Sequence, residues 1–221
     1  MPLNDSDVII SGWNGKMGHA IRALTPFYFS GMLWNPTTLH IDALKHPVWI
    51  DFSNAQLFDN ILQKVQEIHC PLIMGTTGLS AEQHEKLKQV SQCLPIFYDT
   101  NFSLGIHLLR KLLKHLPQEN SFDVSIIESH HITKKDSPSG TAKSLQNILK
   151  QQLKTDVIPI LSHRGGGIRG EHHIIFSGQN EILTLKHEVL DRSVFAEGAL
   201  KAAVWCTSKS NGLFNMEDLL V

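Results

Sequence analysis

The sequence predicts an α/β protein in two parts: a parallel sheet with crossover helices, then an α+β part with a mixed or antiparallel sheet. Two observations carry this. Apolar strand-like runs alternate with amphipathic helical stretches through about residue 100. Beyond residue 157 the pattern changes to three strand-like pieces separated by turns, "VIPILSHRG", "EHHIIFSG" and "ILTLKHEVL", which read as an antiparallel sheet.

In chain order, "DVIIS" is a short apolar run ending at Gly12, the pattern of a strand buried on both faces. "GKMGHAIRAL" reads as a helix stopped near Pro26, and 27–34 as a second strand. "PVWIDFS" is a third strand, rich in residues that suit a pleated surface. The stretch "NAQLFDNILQKVQEI" places Leu57, Phe58, Ile61, Leu62, Val65 and Ile68 on one helical stripe. "CPLIMG" and "LPIFYD" are strands on either side of a helix whose start, Ser80 with Gln83, has the spacing of a capping box. Residues 103–116 read as a helix, "FDVSIIESH" as a strand, "PSGTAKSLQNILKQQL" as a helix with Pro138 in its first turn, and "SVFAEGALKAAVWCTSK" as a closing helix.

Composition excludes several functions. Of 221 residues, 42% are apolar, so a core can form, and the formal net charge of −1 provides no pull toward nucleic acid or an anionic membrane. No apolar run is long enough to span a bilayer, and the start lacks the pattern of a signal peptide. Cys70, Cys93 and Cys206 are odd in number and widely spaced, as expected of reduced thiols in the cytoplasm. Thirteen histidines invite a metal, but there is no HExxH and no His/Cys cluster with zinc spacing, so none is expected.

Two kinds of motif carry chemistry. "SGWNGKMG" sets Gly12, Gly15 and Gly18 between the first strand and the first helix. Gly12 permits a tight turn, Gly15 lets a pyrophosphate approach the backbone, and Gly18 allows close helix packing, while the helix start aims N–H groups at the phosphates. Gly12, Trp13, Asn14, Gly15, Lys16, Met17 and Gly18 are therefore candidate dinucleotide contacts. "MGTTGLS" and "DTNFSLG" follow later strands and fall at the same sheet edge, adding Gly75, Thr76 and Thr77, then Asp99, Thr100, Asn101 and Phe102. The second motif is "ESHHITKKDSPSGTA", residues 128–142, which concentrates proton carriers and anion donors just ahead of a helix.

Four motifs in order, "GWNGKMG", "GTTG", "NFSLG" and above all "ESHHITKKDSPSGTA", resemble those of the dihydrodipicolinate (4-hydroxy-tetrahydrodipicolinate) reductases of bacterial lysine and diaminopimelate synthesis. "IDFS", "RGGGIRGEH" and "GLFNMEDLL" extend the resemblance along nearly the whole chain. It implies a Rossmann-like cofactor domain, residues 1–102 with 193–221, and a substrate-binding and tetramerisation domain, residues 103–192. It also implies NADPH or NADH as cofactor and a small dicarboxylate as substrate. His130 and Lys134 are the implied proton-handling pair, and burial could bring the lysine's pKa toward use. His131, Ser139, Gly140, Thr141 and Arg192 are the implied substrate contacts.

The chain departs from the family in being short. A stretch is missing between Gly18 and "IDFS", and the acid that holds the adenosine ribose about 20 residues beyond the loop is absent. Trp34 and Asn35 stand there, as candidate cofactor contacts. The trimmed region leaves two alternatives to a reductase of this pathway: a non-catalytic dinucleotide-binding regulator, and a reductase of another cyclic imine or keto acid.

Overall fold

A computed structural model describes residues 4–27, 29–33, 44, 46–118 and 121–220. It divides into two compact units, one formed by the described residues up to Ser103 with those from Ser193 onward, the other by Leu104–Arg192.

The first unit is built on six parallel strands. They are β1 (Asn4–Ser11), β2 (Phe29–Leu33), β3 (Val48–Asp51), β4 (Leu72–Met74), β5 (Pro95–Tyr98) and β10 (Gly212–Phe214), in the order β10-β5-β4-β3-β1-β2. Val8, Ile9, Ile10, Val48, Trp49 and Ile50 are all fully buried, because helices cover both faces of the sheet. On one face α2 (Phe58–Ile68) and α3 (Ala81–Val90) pack Phe58, Ile61, Leu62, Val65 and Leu87 onto Ile9, Trp49, Leu72, Met74 and Ile96. Each such side chain contributes about 1.5–3 kcal/mol on burial. Against α1 (Lys16–Leu24) and β3–β5 lies α6 (Ser193–Cys206), whose run of buried alanines permits close approach.

The second unit has a four-stranded sheet in the order β7-β6-β8-β9: β6 (Asp123–His130), β7 (Ile160–Arg164), β8 (Glu171–Ser177) and β9 (Ile182–Glu188). Strands β6, β8 and β9 are antiparallel, but β7 runs parallel to β6, so the sheet is mixed and the antiparallel expectation fails for that strand. The reason is the connection: α5 (Gly140–Leu153) returns the chain from β6 to β7 as a crossover. Helix α4 (Leu104–Leu113) and α5 enclose a core with Val124, Ile126, Ile174 and Phe176.

Other expectations shift. The helix expected over 103–116 spans Leu104–Leu113, and the strand expected over 27–34 is β2. Pro138 precedes the N-cap Ser139 instead of lying in the first turn of α5. The closing helix ends at Cys206, and the chain then adds β10 and α7 (Met216–Leu219), the former completing the edge of the sheet. Cys70, Cys93 and Cys206 are free, and burial pushes the thiols of Cys70 and Cys206 up to about 12. Among the described residues no helix is long and apolar enough to cross a membrane.

Candidate active site

In the first unit, the loops after β1, β3, β4 and β5 leave the same edge of the parallel sheet. Gly12 has φ +75°, and a Cβ there would meet the Phe52 carbonyl oxygen at 2.4 Å. A Cβ on Gly18 would come within 2.3 Å of the Gly12 carbonyl, so Gly18 lets helix α1 close onto the loop's own backbone. The α1 N-cap, Gly15, offers no side-chain cap, and the first turn has no acid. Its opening amides and the exposed Lys16 thus fit an anionic dinucleotide phosphate. Asn14 and Gly15 are also exposed, while Trp13 and Met17 are half-buried, with Arg22 stacked 5.5 Å from the Trp13 ring centroid.

Several candidate cofactor side chains prove to be engaged in the fold. Thr76 is buried and donates its hydroxyl to Asp51 Oδ2 at 2.6 Å. Asp51 Oδ1 accepts from the hydroxyls of Ser11 (2.7 Å) and Ser53 (2.6 Å), so one buried carboxylate ties three of the loops. Asp99 accepts from the backbone N–H of Asn101 (3.1 Å) and of Met216 (3.2 Å), the latter at the start of α7. Asn101 Oδ1 accepts from Ser103 N–H at 2.9 Å, and Phe102 is buried with its ring 5.2 Å from that of Phe52. A Cβ on Gly75 would meet the Phe52 ring at 2.2 Å, which accounts for that glycine by packing. Thr77 and Thr100 are exposed. Trp34 and Asn35 lie outside the described residues. A cavity of about 620 Å³ lies at the opposite edge, among His46, His69, Pro71, Pro95 and Lys209, away from the glycine loop.

In the second unit, strand register assembles a polar cluster at one end of the mixed sheet. Glu128 pairs across to His172, which pairs across to His187; Glu128 also faces Ser162, and His130 faces Arg164. Glu128 and His130 are two apart on β6, so both point to the helix-covered face. Glu128 is fully buried, His130 8% exposed and His172 4% exposed. Glu128 Oε2 is hydrogen-bonded to His130 Nδ1, and Oε1 accepts from Arg164 Nη2 at 2.7 Å. Arg164 Nη2 also donates to the Asp136 carbonyl at 2.7 Å. His172 Nε2 lies 3.2 Å from Ser139 Oγ, and its ring meets that of His130 edge-on at 5.2 Å.

The electrostatics follow from this packing. Burial works to raise the Glu128 pKa, but hydrogen bonds from Arg164 and Ser162 and the charge and bond of His130 outweigh it and hold the carboxyl below its usual range. Burial lowers His130, against the opposing pull of Glu128. Burial, with the neighbouring His130 and His187, takes His172 down to about 3, and burial also lowers His187. Glu128, His130 and His172 are the group of described residues that brings three metal-type donor atoms within 4.8 Å of one another. The hydrogen bond between Glu128 and His130 and the Arg164 cation on Glu128 engage two of these three residues, so a metal ion would have to displace a proton and compete with the guanidinium.

Around the cluster stand the other candidates. Lys134 keeps 24% side-chain exposure and pairs with Asp136 at 2.7 Å. That pairing leads the causes that lower Asp136, to which the Gly140 N–H also contributes. His131 Nδ1 lies 2.7 Å from Thr133 Oγ1. The Ser139 hydroxyl is committed to capping Ala142 N–H (3.1 Å) and to His172, so its amide is the group left for an anion. Gly140 opens α5 exposed, Thr141 is half-buried, and Arg192 closes the second unit half-exposed. The sequence reading passed over Glu128, Arg164 and His172. For Glu128 the signal is the alternation in "ESHH", which sets it on the same face as His130, whereas Arg164 and His172 join them through strand register.

Comparison with known proteins decides the lineage. Residues 35–102 match the family described as dihydrodipicolinate reductase, N-terminus, and residues 104–220 its C-terminus. The chain belongs to the dihydrodipicolinate reductase family. A 4-hydroxy-tetrahydrodipicolinate reductase of Clostridium novyi (strain NT) is 36% identical over 245 aligned positions, covering 96% of this chain and 97% of that protein. The one from Bdellovibrio bacteriovorus is 40% identical over 173 positions, 78% of this chain and 76% of its own. Since this chain has 221 residues, the 245-position alignment must include gaps, in keeping with a shortened member of the family. A solved structure titled dipicolinate-bound dihydrodipicolinate reductase, from Paenisporosarcina sp. TG-14, shares the fold with TM-score 0.77, at 22% identity over 97% of this chain and 99% of its own.

Proposed function

We propose that this protein is an NAD(P)H-dependent oxidoreductase that reduces 4-hydroxy-tetrahydrodipicolinate to tetrahydrodipicolinate in lysine and diaminopimelate biosynthesis. The observation that carries the reading is the cluster of Glu128, His130 and Lys134 beside the start of α5, in a chain of this family. The reaction consumes one hydride and one proton and releases water. The reduced nicotinamide supplies the hydride when bound. The chain's own part is to hold the cofactor phosphates on the α1 amides and Lys16, to hold the substrate carboxylates, and to supply the proton.

In this reading Lys134, His131, Thr141, Arg192 and the amides of Ser139 and Gly140 receive the substrate carboxylates, with Lys134 and the Gly140 amide released from Asp136 as they do so. His130 delivers the proton and Lys134 assists. Nothing among the described residues opposes the extra phosphate of NADPH, and Lys16 is free to reach it, so both cofactors serve with a lean to NADPH. The enzyme works in the cytoplasm as a homotetramer joined through the open face of the mixed sheet, where Leu161 and Ile182 are 54% and 71% exposed. Oxidation of reduced cofactor with freshly made substrate tests the activity, and light scattering tests the assembly. A protein that binds the cofactor but never oxidises it would be the regulator instead; turnover only with another cyclic imine would shift the substrate.

A further inference from the structure

We propose that Glu128 is the positioning residue of this site: clamped by Arg164, it accepts a hydrogen bond from the Nδ1–H of His130 and so presents the ring's other nitrogen, Nε2, as the one that carries the reacting proton. The inference rests on the reductase reading for its chemistry and on the described geometry for everything else. Glu128 is fully buried, and each of its oxygens has its own partner, Oε1 with Arg164 and Oε2 with His130. An ionised carboxylate can only accept, so Nδ1 must donate. The neutral ring then has a bare Nε2, and the protonated ring carries its transferable proton there.

The space around Nε2 agrees. Gly170, with φ +149°, is the residue against it: a Cβ there would lie 3.3 Å from Nε2 and 3.4 Å from Cδ2. A side chain at that position would crowd the nitrogen that has to act. His172 meets the ring edge-on and bonds through its own Nε2 to Ser139, the cap of α5. It fixes the ring plane and links it to the helix whose amides are proposed to hold a substrate carboxylate. The charged and titratable groups facing His130 are thus Glu128 on its own strand, Arg164 from β7, His172 from β8 with His187 behind it on β9, and Lys134 with Asp136 in the following loop.

Glu128→Gln tests this because Arg164 still demands an oxygen. The amide must turn its NH₂ toward His130, so Nδ1 has to accept and the proton moves to Nε2. The measurement is ¹⁵N NMR of the histidine rings in the unliganded full-length protein, with His130 assigned by its absence in His130→Asn. Wild type should show a protonated Nδ1 above the His130 titration, and Glu128→Gln a protonated Nε2. In steady state Glu128→Gln should lose on the order of 100-fold in kcat with KM within about 3-fold, and the alkaline limb of its pH profile, where the proton donor is lost, should move to lower pH. Glu128→Asp, which keeps the charge, should recover the wild-type tautomer and part of kcat. A wild-type ring protonated on Nε2 would overturn the proposal without any variant having to fold. So would a Glu128→Gln protein that keeps the wild-type tautomer, or one that keeps kcat within about 3-fold. A wild type that shows the Nδ1 proton but does not turn over would sink the reductase reading while leaving the clamp in place.

Discussion

Asp51 and Glu128 are both carboxylates with no exposure to solvent, one in each unit, and they are satisfied in opposite ways. Asp51 is surrounded by neutral donors, the hydroxyls of Ser11, Ser53 and Thr76. Glu128 is met by a guanidinium and an imidazole. Hydroxyl donors give direction without a titration, so Asp51 shapes loops. An imidazole partner can change its charge, so Glu128 shapes the behaviour of a proton. The candidate cofactor edge accordingly offers mainly backbone amides to a ligand, whereas the candidate acid site depends on side chains whose protonation matters.

The sharpest way to break this contrast is to remove the groups on the proton side. His130→Ala and Lys134→Ala should each cost at least about 100-fold in turnover while folding and cofactor affinity persist. If either protein retains more than about a tenth of normal kcat, with circular dichroism showing it folded, the role assigned to that residue is wrong.

Acid should then separate the two buried clusters. Burial lowers the pKa of His130, His172 and His187, so the unfolded chain takes up protons first as pH falls below the ordinary histidine value of 6.5, and stability declines from there. For His172 the decline runs down to about 3 and amounts to a few kcal/mol. Glu128, held below its usual 4.5, adds a further loss as pH falls from that value through its folded pKa. Urea melts at stepped pH should show this slope, and His172→Asn should flatten it. An unchanged slope would place the acid sensitivity elsewhere.

On the cofactor side, Asp51→Asn presents an NH₂ to hydroxyl donors and should cost about 1–3 kcal/mol in stability. Its kinetic signature should be a raised KM for reduced cofactor with kcat little changed. A fall in kcat alone would mean that Asp51 does more than hold the loops. The smallest effect concerns cofactor choice: kcat/KM for NADPH and NADH should agree within about 30-fold, leaning to NADPH. A preference for NADH above about 100-fold would show that another group reads the ribose.

What the sequence made legible follows the same divide between local and long-range information. The Ser80–Gln83 capping box is present with both of its bonds, and the apolar run of β1 is buried throughout, because both features are written within a few residues. The parallel pairing of β7 with β6 was not legible, since direction depends on where a crossover delivers the chain. Nor was β10, three residues whose pairing partner lies more than a hundred positions earlier. At the site, the motif around His130 could be read directly, but Glu128, Arg164 and His172 meet only through strand register. Thr76, Asp99 and the Ser139 hydroxyl looked available to ligands because their hydrogen-bond partners are distant in sequence or, for the Asn101 amide and the α5 cap, set by local backbone geometry.

The first unit is interrupted. Its helix α1 and strands β3–β5 pack against α6, and its last strand, β10, pairs with β5. During synthesis the ribosome must therefore deliver the entire second unit before the first can be finished. Until α6 emerges, the sheet face that will receive it stays uncovered, with Ala196, Ala199, Leu200 and Ala203 still to arrive. The second unit, whose elements are contiguous in the chain, can close its own core first. The nascent protein thus inverts the usual order: its amino-terminal half waits, and the part translated in the middle is the first able to fold.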